Sequence, residues 1–452
     1  MKKRFAICST IVLLLLLSAC GAPQTLDFSY APEGEELSSL MVETSQTHRA
    51  ELEHVPSAAD FDDAISDDPA SAGLLSESEV ESLLRGHAAM ETVSKEQAQS
   101  DVSLLFRTLQ SAYGAYEYFG QEKFDAAEDA VTQWLSSQDD EIKVSALGEK
   151  LQESLAFMLA HDAHAVIYEP AAEEIEAQVR YEYFFADGFY FSKDVNGSYY
   201  MVNDGERWTL SSFSDEHVSV QPTLLQDGRI VYQPTLFALR KDAVQSSVTL
   251  KNSSGKAKIY RLDWTESQPL DVDLGTLDYR LIQEDGLTYV SLRSFVSGTY
   301  DNMLARYARE GAKARGSKAV IYDLRGNVGG SDSWPRKWIQ SFLGTQNSIE
   351  TSMLYAQKNS ALFAAENSES LLPEDEGTCF AREVHGTWYE NDIPIIVLVD
   401  DHCGSSGEGA VQLLKTLDNV LIVGSNTAGY QLCGNVSTFT LPYTGIGVRF
   451  GS

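Results

Sequence analysis

The 452-residue chain is poor in cysteine, with five, in histidine, with eight, and in proline, with twelve. So few thiols exclude a disulfide-built scaffold. No CxxC pair occurs and no histidines cluster at metal-ligand spacing, so neither a structural zinc nor any other metal or cofactor is expected. Cations are also short: 34 Lys and Arg stand against 66 Asp and Glu, for a net charge of −32. Phosphate binding needs clustered Lys and Arg, which excludes nucleic acid as the partner. Beyond the first residues no apolar run approaches the ~20 positions that a membrane-spanning helix requires. No solenoid-type repeat is present. The length leaves room for two or three domains with a large core.

What is there begins with Lys2, Lys3 and Arg4, followed by an apolar stretch through Leu13 to Leu17. A positive segment ahead of a short hydrophobic one is the order of a secretory signal. The stretch ends Leu17-Ser18-Ala19-Cys20-Gly21, which resembles the bacterial lipobox, where the Cys becomes the lipidated first residue. Residues 1–20 are therefore expected to be a lipoprotein signal peptide. Cys20 is the expected lipidation site, holding the protein at the cell membrane on its extracytoplasmic side without a spanning segment. Of the later cysteines, Cys379, Cys403 and Cys433, at most one internal pair can form, and the sequence does not choose among the pairings.

Residues 21–90 are rich in Ser, Ala, Glu and Asp with little apolar periodicity, which predicts an acidic flexible linker. Within it, Ser76 and Glu79 have capping-box spacing and predict a short helix to Leu84. From there Val102, Leu105, Phe106, Leu109, Tyr113 and Tyr116 recur at steps of three and four, and Ala127–Leu135 and Ile142–Leu159 repeat the signal. A helical domain is expected over 91–164. Residues 165–275 alternate and are aromatic, as in Tyr181-Glu182-Tyr183-Phe184-Phe185, with turns at Asn196-Gly197 and Asp204-Gly205; this predicts a β-rich module. Over 276–452 strands and helices take turns. Strands are predicted at 287–292, 319–324, 395–399 and 420–423, and helices at 301–314, 333–343 and 407–417. The fold class is therefore α+β and multidomain with an α/β core.

Two loops leave buried strands of that core, where an open α/β sheet places its site. The first is Asp323-Leu324-Arg325-Gly326-Asn327-Val328-Gly329-Gly330-Ser331. Its glycine pair lets backbone amides face a cleft with no Cβ in the way, as an oxyanion hole requires. The second is Asp400-Asp401-His402-Cys403-Gly404-Ser405-Ser406-Gly407-Glu408, a small-residue turn running into a helix. A Ser at such a turn has an exposed hydroxyl, and the amide after it lies at the positive end of the helix.

With Val423-Gly424-Ser425-Asn426-Thr427-Ala428-Gly429, these loops resemble three ordered motifs of the tail-specific, or carboxy-terminal processing, serine peptidases: D-L-R-x-N-x-G-G, S-x-x-E and V-G-x-x-T-x-G. The resemblance covers about 280–452 well and the helical region more loosely. It implies a ClpP/crotonase-like peptidase core, a polypeptide substrate and no cofactor. Ser405 takes the place of the nucleophile, and the amides of Gly330 and Ser406 that of the oxyanion hole. Relatives carry a PDZ domain in the interval of the β-rich module, although no carboxylate-binding loop is recognisable there. Tyr430 occupies the position where the processing branch carries a Lys base. The tricorn-like branch instead uses a His from its helical region, which implies His164 here, in Leu159-Ala160-His161-Asp162-Ala163-His164-Ala165. Imidazole suits that task at neutral pH. His161, His385 and His402 stand as alternatives, His402 awkwardly, three residues before Ser405 on the same turn. The His-using relatives also have an orienting acid past the segment resembling Leu441–Ile446, which implies that it lies beyond Ser452. A carrier that keeps the fold without turnover is the competing reading, since retinoid-binding relatives share it.

Overall fold

In the computed structural model of the chain, Ser76 and Glu79 form the capping box that their spacing predicts. The Glu79 N–H donates to Ser76 Oγ at 3.3 Å and the Ser76 N–H to Glu79 Oε2 at 2.8 Å. The structure describes residues 37–168, 181–266 and 279–452, less 62–64, 66, 187, 204, 226, 240–245, 299, 300 and 370. The expected signal peptide, Cys20 and the first part of the expected linker lie outside the described residues. Two compact units divide the chain, Met1–Leu40 with Tyr181–Gln268, and Met41–Arg180 with Pro269–Ser452.

The described part of the segment expected to be a flexible linker is instead folded. It carries helix α1 (Leu37–Glu53) and helix α2 (Glu77–Leu84). The Asn419 N–H donates to Ser45 Oγ at 2.9 Å, Ser352 Oγ donates to the Leu52 carbonyl, and Lys415 pairs with Glu51. Leu52, Leu75, Val80 and Leu83 are buried. The first two of those partners lie 374 and 300 residues away in sequence. Acidic local composition cannot reveal such contacts.

Helix α3 (Lys95–Ala112) starts on a second capping box, Ser94 with Gln97, and buries Ala98, Val102, Leu105, Leu109 and Ala112 along one face. It packs with α4 (Gln121–Ser137) and α5 (Val144–Ser154), whose buried residues keep the same three- and four-residue steps. A turn at 160–165 leads into strand β1 (Val166–Tyr168).

Beyond it, β2 (Tyr279–Glu284) and β3 (Leu287–Leu292) form an antiparallel hairpin. Strands β3, β4 (Ala319–Asp323), β5 (Ile395–Val399) and β6 (Val420–Gly424) then run parallel in that order. Parallel neighbours need crossovers, and α6 (Asp301–Glu310), α7 (Ser333–Leu343) and α8 (Ser406–Leu414) supply them. Trp338 of α7 stacks on Phe342 at 5.4 Å and meets Tyr322 of β4 edge-on at 4.7 Å, all buried. The helix predicted over 301–314 ends at Glu310 and tightens into a 3₁₀ turn over Gly311–Gly316. At Gly311 a Cβ would lie 2.3 Å from the Trp338 carbonyl. The crossover from β4 to β5 also holds an antiparallel hairpin, Met353–Lys358 with Cys379–Val384, which periodicity does not show.

The chain returns to its helical region at the end. Strands β7 (Val436–Thr440) and β8 (Gly447–Gly451) form a hairpin, and β8 pairs with β1, Val448 opposite Ile167. Phe439, Val448 and Phe450 share one apolar cluster with α3, α4 and α5. The last strands therefore pack with the helical region, and that docking positions the turn carrying His164.

The other unit, taken by itself, is β-rich as expected. One antiparallel sheet orders Trp264–Glu266, Tyr181–Ala186, Ile230–Leu239 and Val218–Leu224; a second orders Ala257–Leu262, Ser246–Lys251, Glu206–Phe213, Tyr199–Asn203 and Ser192–Lys193. Phe184, Phe191, Trp208, Tyr232, Val248 and Tyr260 fill its core. No helix among the described residues is long and apolar enough to cross a membrane.

Candidate active site

Asp323 stands opposite Leu398 at the ends of β4 and β5, so the two motif loops leave the sheet side by side. The Asp323 carboxylate is fully buried and is held by Arg325 Nη2 at 2.9 Å and by the Tyr289 hydroxyl at 2.7 Å. Burial pushes its pKa up, but Arg325, Tyr289 and Arg293 outweigh that and keep it below the usual carboxylate range. Asp323 and Arg325 thus shape the loop. Buried Asn327 then joins the two: its Nδ2 donates to the Leu292 carbonyl at 2.8 Å, its Oδ1 accepts from Gly329 N–H at 3.0 Å, and its carbonyl accepts from Gly404 N–H at 2.9 Å.

Gly329 and Gly330 have φ of +98° and +138°. A Cβ on Gly329 would lie 2.6 Å from Ser405 Cβ and 3.0 Å from the Ser406 nitrogen, and one on Gly330 would lie 2.1 Å from the Phe295 backbone. Only glycine permits that approach. Ser405, half-buried, has φ +51° and ψ −120° at the head of α8. That conformation costs a non-glycine residue about 1–3 kcal/mol and persists only where the surroundings enforce it, as at a nucleophile elbow. Among the described residues neither the Gly330 nor the Ser406 N–H has a hydrogen-bond acceptor. The structure thus brings Ser405, Ser406 and Gly330 together.

Glu408 enforces the elbow, a role that sequence reasoning missed although S-x-x-E marks the residue. Its buried carboxylate accepts from Thr427 Oγ1 at 2.6 Å, Gly429 N–H at 2.8 Å, Tyr430 N–H at 2.9 Å and Ser405 N–H at 3.2 Å. The Ala428 N–H donates to the Cys403 carbonyl at 2.9 Å. The Ser405 turn and the Thr427-Ala428-Gly429 segment therefore form one body.

His164 comes from the turn before β1 and is 6% exposed. Its Nδ1 meets the Cys433 carbonyl oxygen, which only accepts, so the neutral ring carries its proton on Nδ1 and its lone pair on Nε2. Arg449 Nε donates to the His164 carbonyl at 3.0 Å, and the His164 N–H to Asp162 Oδ1 at 2.9 Å. Burial lowers the His164 pKa to about 4, with Arg449 adding to the shift and the Cys433 contact opposing it. Burial likewise raises the Asp162 pKa. The Tyr430 ring meets His164 edge-on at 4.5 Å, and a Cβ on Gly404 would lie 2.6 Å from Tyr430 Cδ2. Among the described residues His164 reaches the Ser405 turn through Tyr430, not through a direct hydrogen bond to Ser405. The role of the Cys433 carbonyl has no signature in the sequence, because any residue supplies a carbonyl.

The alternatives are elsewhere. His161 and His385 are exposed, while His402 lies with Asp400 and Asp401 in a group whose ligand atoms are within 4.8 Å of one another. Cys379, Cys403 and Cys433 are all free thiols, with burial pushing each pKa up. A cleft of about 670 Å³ lined by Glu79, Asp101, Arg107 and Tyr443 contains none of the candidate residues.

No curated protein matches the chain. Among solved structures it is similar to mature CPAF, at 13% identity over 79% of this chain and 88% of that one, with a TM-score of 0.40. It is also similar to a photosystem II D1 C-terminal processing protease, at 14% identity over 78% and 87%, TM-score 0.34. A lipoprotein from Streptococcus agalactiae matches at 14% identity over 79% and 84%, TM-score 0.31. Residues 286–449, which hold both site loops and the Thr427-Ala428-Gly429 segment, match the model of Peptidase family S41.

Proposed function

We propose that the protein is a serine-type endopeptidase that hydrolyses polypeptides outside the cytoplasm, anchored to the membrane by a lipid on Cys20. One observation carries the catalytic part: Ser405 is held at positive φ on a strand-to-helix turn, beside two amides that lack acceptors among the described residues. Ser405 Oγ attacks the scissile carbonyl carbon while its proton passes to Nε2 of His164, directly or across one water. The carbonyl oxygen, now negative, lies between the N–H groups of Gly330 and Ser406. The C–N bond breaks as the imidazolium returns the proton to the leaving amine. Water, activated by the same nitrogen, then releases the acyl group from Ser405. The anchored, extracytoplasmic setting rests on the sequence alone, on Lys2, Lys3, Arg4 and Leu17-Ser18-Ala19-Cys20.

The ring of Tyr430 between His164 and the Ser405 turn favours a second reading, a non-catalytic peptide- or lipid-binding lipoprotein that keeps the peptidase fold. Labelling with a fluorophosphonate separates the two. The peptidase reading expects stoichiometric labelling of the wild-type protein that Ser405→Ala removes. A folded wild-type protein that stays unlabelled sinks it in favour of the binding protein. Treating whole cells with an impermeant protease and labelling them with palmitate tests the setting. Protection from that protease, or no palmitate on Cys20, removes that part of the proposal.

A further inference from the structure

Of the three consecutive residues that follow β5, Asp400 buries an oxygen, Oδ2, that finds no hydrogen-bond partner among the described residues, while Asp401 Oδ1 and His402 Nδ1 face only each other. Burying a carboxylate oxygen unpaired costs free energy, and one placed beside a second carboxylate and an imidazole calls for a ligand. Asp400 is 6% exposed, and its other oxygen is fully engaged, accepting from Gly326 N–H at 2.8 Å and from His402 N–H at 3.2 Å. Those donors fix the carboxylate and leave Oδ2 to the cluster. The donor atoms of the three residues lie within 4.8 Å of one another, and His402 Nδ1 is 3.1 Å from Asp401 Oδ1. Two ligands about 2.1 Å from one ion subtend about 95° when they are 3.1 Å apart, a geometry that a transition-metal ion accepts.

We propose that Asp400, Asp401 and His402 bind one divalent cation of the zinc type. One imidazole nitrogen and two carboxylate oxygens suit that ion better than Mg²⁺ or Ca²⁺, which prefer all-oxygen shells. Two carboxylates and a neutral imidazole balance its charge. Arg325, which feels the Asp400 charge, does not compete for the site, because its guanidinium is committed to Asp323. The expected absence of metal ligands rested on CxxC pairs and spaced histidines, and consecutive donors on one turn escape that search.

The position gives the ion a role. His402 is three residues before Ser405, and Asp400 Oδ1 holds Gly326 of the glycine loop. A bound cation fastens the Ser405 turn to the loop that carries Gly329 and Gly330. It is a clamp on the site and not a participant in bond cleavage.

The test is titration of chelator-treated, full-length protein with Zn²⁺, followed by calorimetry, bound-metal analysis and melting temperature. One Zn²⁺ per chain and a melting temperature raised by several degrees are expected. His402→Gln and Asp401→Asn alter half-buried side chains, leave the fold intact and each weaken binding at least ~10-fold. Zinc bound equally well by both variants would place the ion elsewhere and overturn the assignment, as would a folded wild-type protein that binds no stoichiometric zinc. The same titration of Ser405→Ala should be unchanged, which keeps this outcome separate from the peptidase reading.

Discussion

The Ser405 side and the His164 side of the candidate site are built in opposite ways. Around Ser405, buried groups from neighbouring loops interlock: Asn327 spans the two motif loops, and Glu408 gathers donors from Ser405, Thr427, Gly429, Tyr430 and Gln431. Around His164 the ring has one polar anchor among the described residues, the Cys433 carbonyl, 269 residues away in sequence, with the Tyr430 ring against it. The strained Ser405 conformation needs many local restraints. A neutral imidazole needs only burial and one acceptor to fix its tautomer. The Ser405 side should therefore be sensitive to small steric changes, and the His164 side to charge and pH.

The harshest test of that contrast is Gly329→Ala. Its new Cβ would meet Ser405 Cβ at 2.6 Å, at a φ that disfavours side chains. Fluorophosphonate labelling should be lost and stability should fall by more than ~1 kcal/mol in chemical denaturation. Labelling that survives would mean that the elbow is far less rigid than its hydrogen bonds imply. Next in size, His164→Ala should slow labelling by about 10²- to 10⁴-fold with the circular-dichroism spectrum unchanged.

The wild-type pH profile belongs to that same side. A base with its pKa lowered to about 4 stays neutral well below pH 6.5, so labelling should hold steady to about pH 5 and halve near pH 4. Folding stability moves with it. His48, also lowered to about 4, and His164 are neutral in the folded protein where the unfolded chain already takes up protons. Stability should fall as pH drops from 6.5 toward 4. A labelling limb at pH 6.5 would point to a base other than buried His164.

A gentler change on the Ser405 side is Glu408→Gln, which turns charge-assisted bonds into neutral ones and gives the side chain an NH₂ facing donors. A stability loss of about 1.5–3 kcal/mol is expected, with slower labelling and no shift of the pH limb. The smallest expected effect is that of Arg449→Gln. Removing this cation raises the His164 pKa, so the acid limb should move to higher pH by less than ~1 unit. A shift in the other direction would contradict the electrostatics of the base turn.

Much of this organisation was legible in the amino-acid order. Ile395–Val399 is apolar throughout and forms a strand between two parallel neighbours. Ser333–Leu343 is a helix over the expected residues, and the Ser76 and Glu79 pair caps as its spacing requires. The glycine pair and the Ser405 turn also lie where strand ends were expected. What local pattern did not show were the partners: α1 on Asn419 and Lys415, the β7–β8 hairpin inside the helical core, the donors gathered on Glu408, and the free oxygen of Asp400.

The sequence by itself determined the elements and the turn of small residues that carries Ser405, because periodicity, capping and glycine conformation act within a few residues along the chain. Only the tertiary structure decided which carbonyl holds His164, which ring stands between it and Ser405, and which acidic atoms are left unpaired. Those outcomes depend on burial and on contacts between segments hundreds of residues apart, and no local pattern encodes them.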